Sequence, residues 1–224
     1  MLYIIRHGQT ERNKKKVLQG RSNAPLNDEG FDQARAAGRY FAEHGILFSA
    51  IYTSPLIRAV QTAEVIAGMT AGQEAENEDS KRTADHAGRT LTPPIIREER
   101  LIEMDYGPYE GMDLSCPPPE IITFFSDFVH NPAPEGMEPL EEIVRRTGTL
   151  LEEIKEAAAA GHILLSTHAI AAKGCLEYLT PSSGGGYWSR YIGNCSVYAC
   201  SVEDGQYALP CEVFTLPGPP RPGV

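Results

Sequence analysis

Short apolar runs rich in β-branched and aromatic residues recur along the chain, and each predicts a buried β-strand. They lie at residues 2–5, 50–53, 95–101, 162–167, 195–200 and 212–215. In most of the stretches between them apolar residues recur every three or four positions, which predicts helices. The predicted helices lie at 27–45, 54–68, 117–130, from 139 onward, and at 169–179. Strands that alternate with helices predict an α/β fold, a three-layer α/β/α sandwich with a mostly parallel central sheet.

Two helix starts carry strong local signals. Asn27 is a good N-cap, and Asp28 and Glu29 place negative charge in the first turn, where the helix dipole favours it. Ser54 followed by Pro55 predicts a second start, with serine as the N-cap and proline at the first helical position. We therefore expect one helix to begin at residue 28 and the next at residue 55.

Two segments interrupt this alternation. Residues 69–94 are polar and almost free of large apolar side chains, which predicts an inserted surface loop. Residues 117–130 predict a lid-like helix with exposed aromatic side chains, namely Phe124, Phe125 and Phe128. We expect both segments to leave the strand ends that build the site and to set substrate size; the alternative is a solvated loop and phenylalanines that cover the sheet. The chain as a whole predicts a single domain at 1–216 and a disordered tail at 217–224.

Composition excludes several classes of function. The net charge of −10 argues against a protein that binds nucleic acid or an acidic membrane. Five cysteines form neither a CxxC pair nor a Cys/His metal pattern, which indicates free thiols in a reducing cytoplasm. The first residues are unlike a signal peptide, and no apolar run is long enough to span a bilayer. We therefore expect a cytoplasmic monomer or homodimer without metal or cofactor, in which an anionic ligand needs a local positive pocket.

The candidate chemistry lies at strand ends. Sites in parallel α/β sheets form at the carboxyl ends of the strands, where Arg6, His7 and His168 are predicted to lie. A neutral imidazole is a nucleophile when one nitrogen keeps its proton, and a nearby backbone carbonyl would hold the Nδ1 proton of His7. Each residue alone is weak evidence, because a histidine at a strand end is more often structural. Arg58 could simply pair with an acidic neighbour, and Glu103 is one of thirty acidic side chains.

Five segments, taken in order, resemble the histidine phosphatase superfamily, the group that includes the cofactor-dependent phosphoglycerate mutases. They read I-I-R-H-G-Q-T-E-R-N, L-Q-G-R-S-N-A-P-L-N-D-E-G, I-Y-T-S-P-L-I-R-A-V-Q-T-A-E, L-I-E-M-D-Y-G-P-Y-E-G and L-L-S-T-H-A. Together they extend over nearly the whole chain. The resemblance implies a phosphoglycerate mutase-like fold and phosphoryl transfer through a phosphohistidine.

By position, the resemblance also implies roles for individual residues. His7 would accept the phosphoryl group, and Glu103 would protonate the leaving oxygen and later help to activate water. Arg6, Arg58 and His168 would form a positive cradle around the phosphoryl group. Such a cradle would supply the positive pocket that an acidic protein needs for an anionic ligand.

Further positions match parts of the family that contact phosphate or substrate. Asn13, Gln19 and Gly20 lie in the corresponding loop. Ala169 stands after the second histidine, where the family often has glycine, so the approach of the backbone to phosphate would differ there. These four residues complete the predicted phosphate-binding set.

Three functions fit the pattern. The first is a phosphatase that hydrolyses a small phosphorylated metabolite. The second is a phosphoglycerate mutase, but the mutases of the family carry additional basic residues after the acid segment, and here none occurs before Arg145 and Arg146. The third is a non-catalytic phosphate-binding module, which would have lost the nucleophile or the acid, whereas His7 and Glu103 are both present. The sequence therefore favours the phosphatase.

Overall fold

The computed structural model describes residues 1–72 and 92–217, which contain eight strands and six α-helices. The strands are β1 (Leu2–Arg6), β2 (Ala50–Thr53), β3 (Ile95–Arg97), β4 (Ile163–Thr167), β5 (Val197–Cys200), β6 (Val202–Glu203), β7 (Gln206–Tyr207) and β8 (Cys211–Phe214). The helices are α1 (Glu11–Lys14), α2 (Asp28–Glu43), α3 (Ile57–Gly72), α4 (Pro119–Ser126), α5 (Leu140–Ala160) and α6 (Ala169–Leu179). The predicted alternation of strands and helices is confirmed.

A six-stranded sheet forms the middle layer, in the order β3-β2-β4-β1-β5-β8. Strands β1 to β4 are parallel, whereas β5 runs antiparallel to β1, and β8 antiparallel to β5. The register pairs Arg6 with Thr167, so β1 and β4 end side by side. His7 and His168 follow these two ends directly and therefore emerge at the same edge of the sheet.

Alternate residues of each strand face opposite helical layers, as the pleat of a sheet requires. Tyr3 and Ile5 pack with α2 and α3 on one face, whereas Leu2 and Ile4 pack with α5 and α6 on the other. Ile51 of β2 also belongs to the first face. The predicted three-layer α/β/α sandwich with a mostly parallel sheet is confirmed.

One of the two predicted helix starts is correct. The Asn27 side chain accepts a 2.9 Å hydrogen bond from the Gly30 N–H, and α2 begins at Asp28 as expected. The other helix, α3, begins at Ile57, two residues later than predicted. Ser54 accepts only a 3.3 Å bond from the Leu56 N–H, because its hydroxyl also serves a histidine of the site described below. Pro55 therefore lies before the helix and not in its first turn.

The polar segment at 69–94 differs from the prediction at both of its ends. Its first four residues continue α3 to Gly72, and its last one, Pro94, accepts a hydrogen bond from the Ile51 N–H at the start of β2. Since β2 and β3 are parallel, the chain returns at the amino end of the sheet and not at the edge that carries the histidines. At its two described ends this segment does not leave the strand ends that build the site, so the expectation is wrong for these ends. Residues 73–91, the rest of the segment, lie outside the described residues.

The segment at 117–130 also differs from the prediction. Helix α4 covers Pro119–Ser126 only, and the side chain of Phe124 is 1% exposed, so the expectation of exposed aromatics is wrong for this residue. Phe125 and Phe128 are partly buried against the same cluster. That third core cluster is separate from both faces of the sheet and contains Met104. The aromatic side chains therefore cover the segment that follows Glu103, and not the sheet.

Two smaller expectations concern the remaining segments. The strand predicted at 95–101 is β3 followed by a turn of 3₁₀ helix at Glu99–Leu101, which begins where the Glu98 carboxylate accepts the Arg100 N–H. The tail from residue 218 onward lies outside the described residues. In the part that the structure describes, no helix is both long enough and apolar enough to cross a membrane.

Candidate active site

Arg58 is the centre of the site. It is the second residue of α3, and its side chain is 0% exposed. Its Nε–H is shared between two histidines, 3.2 Å from Nε2 of His7 and 3.1 Å from Nδ1 of His168. Its two terminal nitrogens each donate a 2.7 Å hydrogen bond to a carbonyl oxygen, one of Ser22 and one of Gly20. The guanidinium is thus held in one orientation between the two histidines and the loop at 20–22.

His7 has a defined tautomer. Its Nδ1 lies 2.6 Å from the carbonyl oxygen of Gly8, which can only accept, so Nδ1 carries the proton and Nε2 carries a lone pair. Burial lowers the pKa of His7 well below its usual value, and the positive charges of Arg58 and Arg6 lower this pKa further. The imidazole is therefore neutral at neutral pH. Gly8 itself has no room for a side chain, because a Cβ would lie 2.4 Å from the carbonyl oxygen of Gly30.

His168 faces His7, with 5.0 Å between the ring centroids. Its Nδ1 accepts from Arg58, so its proton is on Nε2, which donates a 2.7 Å hydrogen bond to the Ser54 hydroxyl. Burial lowers the pKa of His168 well below its usual value, and the charge of Arg58 adds to this effect. Two neutral imidazoles thus flank one buried cation. The expectation that His168 adds positive charge to the cradle is therefore wrong, and the charge comes from the arginines.

Two N–H donors at the site are buried and have no hydrogen-bond partner among the described residues. One is Nε of Arg6, whose terminal nitrogen donates a 2.6 Å bond to the carbonyl oxygen of Ile192. The other is the side-chain amide nitrogen of Gln19, whose oxygen accepts a 2.7 Å bond from the Thr10 hydroxyl. Buried donors in folded proteins are nearly always paired. Both are groups that a phosphoryl oxygen would accept from.

Glu103 is held at the start of α6. Its Oε1 accepts from the backbone N–H groups of Met104 at 2.9 Å and Ala171 at 3.1 Å, and its Oε2 accepts from that of Ile170 at 3.2 Å. A carboxylate at this position satisfies N–H groups of the first turn and interacts favourably with the helix dipole. Oε2 makes the single, longer contact, so it is the oxygen with room for a proton. His168 immediately precedes the same helix, which brings acid and cradle together.

Charge at the site is positive, as predicted for a site that takes an anionic ligand. Burial lowers the pKa of Arg58 to about 10, which leaves it charged at neutral pH, and the negative charge of Glu103 opposes this shift. Arg6 adds a second cation. Among the described residues, no group of three or more histidine, cysteine or acidic side chains could hold a metal ion.

The structure therefore brings Arg6, His7, Arg58, Glu103 and His168 to one edge of the sheet. Three other predicted residues have structural contacts. The Asn13 side chain accepts from the Thr10 N–H at 3.1 Å and closes a capping box on α1. The Gly20 N–H donates to Glu110 Oε2 at 2.9 Å, and Ala169 is the first residue of α6. Their predicted contacts with phosphate stay predictions.

Sequence reasoning missed several supporting residues. Asn194 donates from its side chain to the His7 carbonyl oxygen at 2.9 Å. Thr62 accepts from the Gly8 N–H at 3.1 Å and donates to the Arg58 carbonyl oxygen at 2.8 Å. The sequence predicts Ser54 only as a helix cap and not as the acceptor for His168. The loop at 189–194 has no apolar periodicity, so nothing in its pattern pointed to the site.

A separate concavity lies elsewhere on the surface. This groove, about 930 Å³ in volume, lies between α5, α6 and the β6–β7 hairpin, and includes Val144, Tyr178 and Tyr207. None of the five clustered residues lines it. We therefore assign the chemistry to the small polar cluster and not to the groove.

Known proteins resemble this chain over half of its length or more. The uncharacterized phosphatase PhoE of Bacillus subtilis is 32% identical over 182 residues, which is 81% of this chain and 77% of that protein. A 2,3-bisphosphoglycerate-dependent phosphoglycerate mutase of Rhizobium etli is 36% identical over 112 residues, but these are only 50% of this chain and 45% of the mutase. The fold matches a phosphoserine phosphatase from Entamoeba histolytica, solved in complex with 3-phosphoglyceric acid, with a TM-score of 0.73 and 22% identity over 96% of each chain.

The profile of one family covers nearly all of the described residues. The histidine phosphatase superfamily (branch 1) matches residues 2–82 and 78–211. All five clustered residues fall within these matches. The match agrees with the order of the five segments in the sequence and with the fold. The chain belongs to the histidine phosphatase superfamily.

Proposed function

We propose that this chain hydrolyses small phosphomonoesters, with His7 as the nucleophile and Glu103 as the acid. The observation that carries the proposal is the fixed tautomer of His7. The Gly8 carbonyl holds the Nδ1 proton, and the Nε2 lone pair points at Arg58, a buried cation that would bind phosphoryl oxygens. The lowered pKa of His7 keeps that lone pair unprotonated at neutral pH.

In the first step the Nε2 lone pair of His7 attacks phosphorus and the bond from phosphorus to the ester oxygen breaks. The leaving oxygen takes a proton from the acid form of Glu103. Arg58, Arg6 and the Gln19 amide stabilise the negative charge on the phosphoryl oxygens through hydrogen bonds. The products of this step are a neutral alcohol and phosphohistidine.

In the second step water attacks the phosphohistidine. The Glu103 carboxylate takes a proton from this water as its oxygen bonds to phosphorus. The phosphorus–nitrogen bond breaks, and its electron pair returns to Nε2 of His7. Inorganic phosphate leaves, and Glu103 is protonated again for the next cycle.

The mutase alternative fits the described residues less well. The mutases of the family carry additional basic residues after the acid segment, and here the first two basic residues after that segment are held in contacts within the protein. Arg145 is exposed and pairs with Glu142 through two hydrogen bonds of 2.5 and 2.8 Å. Arg146 donates to Glu138 at 2.7 Å. We therefore propose that water, and not a second substrate, takes the phosphoryl group.

Location and assembly are part of the same proposal. Cys116, Cys175, Cys195, Cys200 and Cys211 are free thiols, which supports a reducing cytoplasm. Either a monomer or a homodimer is predicted, and sedimentation analysis distinguishes the two. The predicted partner is a small phosphorylated metabolite, and we propose no nucleic-acid or membrane partner, given the net charge of −10.

The test is hydrolysis of p-nitrophenyl phosphate in the presence of a strong chelator, followed by trapping of the intermediate. Wild-type protein mixed with ³²P-labelled ester and denatured in base should retain acid-labile label on His7. His7→Ala should release no phosphate and carry no label, while the exposed control His44→Gln should behave as wild type. Label on another residue, or turnover by His7→Ala, would overturn the mechanism.

A further inference from the structure

Arg21 lies where the two halves of the site meet. It stands between Gly20 and Ser22, whose carbonyl oxygens each accept a 2.7 Å hydrogen bond from Arg58. Its side chain reaches across to Asp105, two residues beyond Glu103, with 3.2 Å between Nη1 and Oδ2. Arg21 is therefore connected to the phosphate cradle through its backbone neighbours and to the acid segment through its guanidinium.

The guanidinium of Arg21 is loosely held. Within the described residues its contacts are two ion pairs, 3.2 Å to Asp105 and 3.6 Å to Glu138, and neither has the geometry of a hydrogen bond. Its side chain is 45% exposed. The pair with Asp105 is exposed on both sides, and exposed ion pairs stabilise a protein little, so a ligand can replace it at low cost. The five N–H donors of the guanidinium are consequently available to another oxyanion.

Two neighbouring arginines already donate hydrogen bonds to other groups of the protein. Arg146 is buried and donates to Glu138 at 2.7 Å and to a backbone carbonyl at 2.6 Å. Since Arg146 already neutralises Glu138, the 3.6 Å contact between Arg21 and Glu138 adds little. Arg12 donates to the Ser22 hydroxyl at 2.9 Å. Of these three cations, Arg21 is the one that can turn toward a ligand.

We propose that Arg21 sets substrate specificity by binding a second oxyanion, a carboxylate or a second phosphate, on the leaving group of the substrate. This inference rests on the proposed function, because the leaving oxygen must face Glu103 and the rest of the leaving group then extends toward the segment that Arg21 contacts. A planar guanidinium matches either oxyanion with two parallel hydrogen bonds. Asp105 acts as the internal competitor, which holds Arg21 until an anionic substrate replaces it.

The test compares substrates that differ by one oxyanion. The pairs are 3-phosphoglycerate with glycerol 3-phosphate, and fructose 1,6-bisphosphate with fructose 6-phosphate. Wild-type protein should have the higher kcat/KM for the member with two oxyanion groups in at least one pair, and the responding pair identifies the second oxyanion as carboxylate or phosphate. Arg21→Gln should lower that kcat/KM ratio about tenfold, mainly through KM, and Arg21→Lys should retain part of it.

A second variant predicts a change in the opposite direction. Asp105→Asn keeps Oδ1 as the acceptor of the Gly107 N–H at 2.8 Å but removes the charge that competes for Arg21, so the ratio should rise. The matched control is Arg35→Gln, which removes an exposed arginine paired with Asp32 on α2 and should leave the ratio unchanged.

Two outcomes would overturn the inference alone. One is a loss in Arg21→Gln that is equal for both members of both pairs, and the other is a ratio that falls in Asp105→Asn. If wild-type protein hydrolyses neither these esters nor p-nitrophenyl phosphate, the proposed function fails and this inference fails with it. The two failures are therefore distinguishable.

Discussion

The Nε–H of Arg58 lies 3.2 Å from Nε2 of His7, so the atom proposed to attack phosphorus is also the acceptor of a hydrogen bond from this arginine. A lone pair that accepts a hydrogen bond is not free to form a bond to phosphorus. Phosphoryl oxygens carry charge and are stronger acceptors than a neutral imidazole. Substrate binding therefore has to redirect Arg58 from the nucleophile to the phosphate, which frees Nε2 at the moment it is needed.

Arg58→Lys tests this exchange. Lysine keeps the charge but has no Nε–H between the histidines and cannot bond both loop carbonyls, so kcat should fall about a hundredfold or more. The measurement is steady-state hydrolysis of p-nitrophenyl phosphate, with circular dichroism to check the fold. Arg35→Lys on the exposed face of α2 is the control. A variant that keeps more than about a tenth of wild-type kcat would contradict the assigned role.

Glu103→Gln separates the acid role from the helix-capping role. Alkyl phosphates need a proton on the leaving oxygen, so their kcat should fall by about 10²–10⁴-fold, whereas 2,4-dinitrophenyl phosphate should lose much less. The amide also places N–H against an N–H of α6, which should lower the free energy of unfolding by about 1–3 kcal/mol. Denaturant titration measures the second effect independently. Equal rate losses on both esters would leave Glu103 as a structural carboxylate.

Ser54→Ala removes the acceptor for the Nε2–H of His168, which lies 2.7 Å away. A buried donor left without a partner should lower the free energy of unfolding by about 1–3 kcal/mol. Activity should fall as well, because the ring of His168 loses one of its two hydrogen bonds. Ser126→Ala, at an exposed serine of α4, should change neither quantity. Unaltered stability in Ser54→Ala would show that the hydroxyl does not hold the ring.

The lowered pKa values of His7 and His168 predict how stability depends on pH. Below the unfolded value of about 6.5 the unfolded chain binds protons that the folded chain does not, so stability falls as pH falls. Each histidine contributes up to about 1.4 kcal/mol per pH unit. Urea unfolding between about pH 5 and pH 7.5 should show a shallower dependence in His168→Gln than in wild type. An identical slope in both proteins would mean that the buried ring titrates as it does in the unfolded chain.

Much of this site could be predicted from short sequence segments, because the chemistry follows strand ends. The runs before His7 and His168 are apolar and β-branched, so their strands are easy to recognise, and parallel strands align their carboxyl ends. Asn27 predicted its helix start correctly because its other contacts, with Gln9 and Glu11, use the side-chain nitrogen and leave the oxygen to accept from the Gly30 N–H. The segment around Arg58 that resembles the family also has the predicted structure, a strand followed by a helix.

The errors have a common physical cause, which is competition from tertiary contacts. Ser54 looked like a helix cap, but His168 takes its hydroxyl and the helix starts later. Phe124 looked exposed on a lid, but it is buried among residues from distant segments, which periodicity in one helix cannot reveal. No pattern in the sequence points to Arg21, because its proposed role in substrate binding depends on the position of Asp105 in space.

Strand β1 precedes the other described strands, yet both of its neighbours come from far later in the chain, β4 from Ile163 and β5 from Val197. Closing such long loops costs chain entropy and slows folding. During synthesis the amino-terminal end of a chain emerges first, so β1 has no partner until most of the protein has left the ribosome. A nascent chain therefore carries His7, the proposed nucleophile, for most of its synthesis without the residues that surround it in the folded protein.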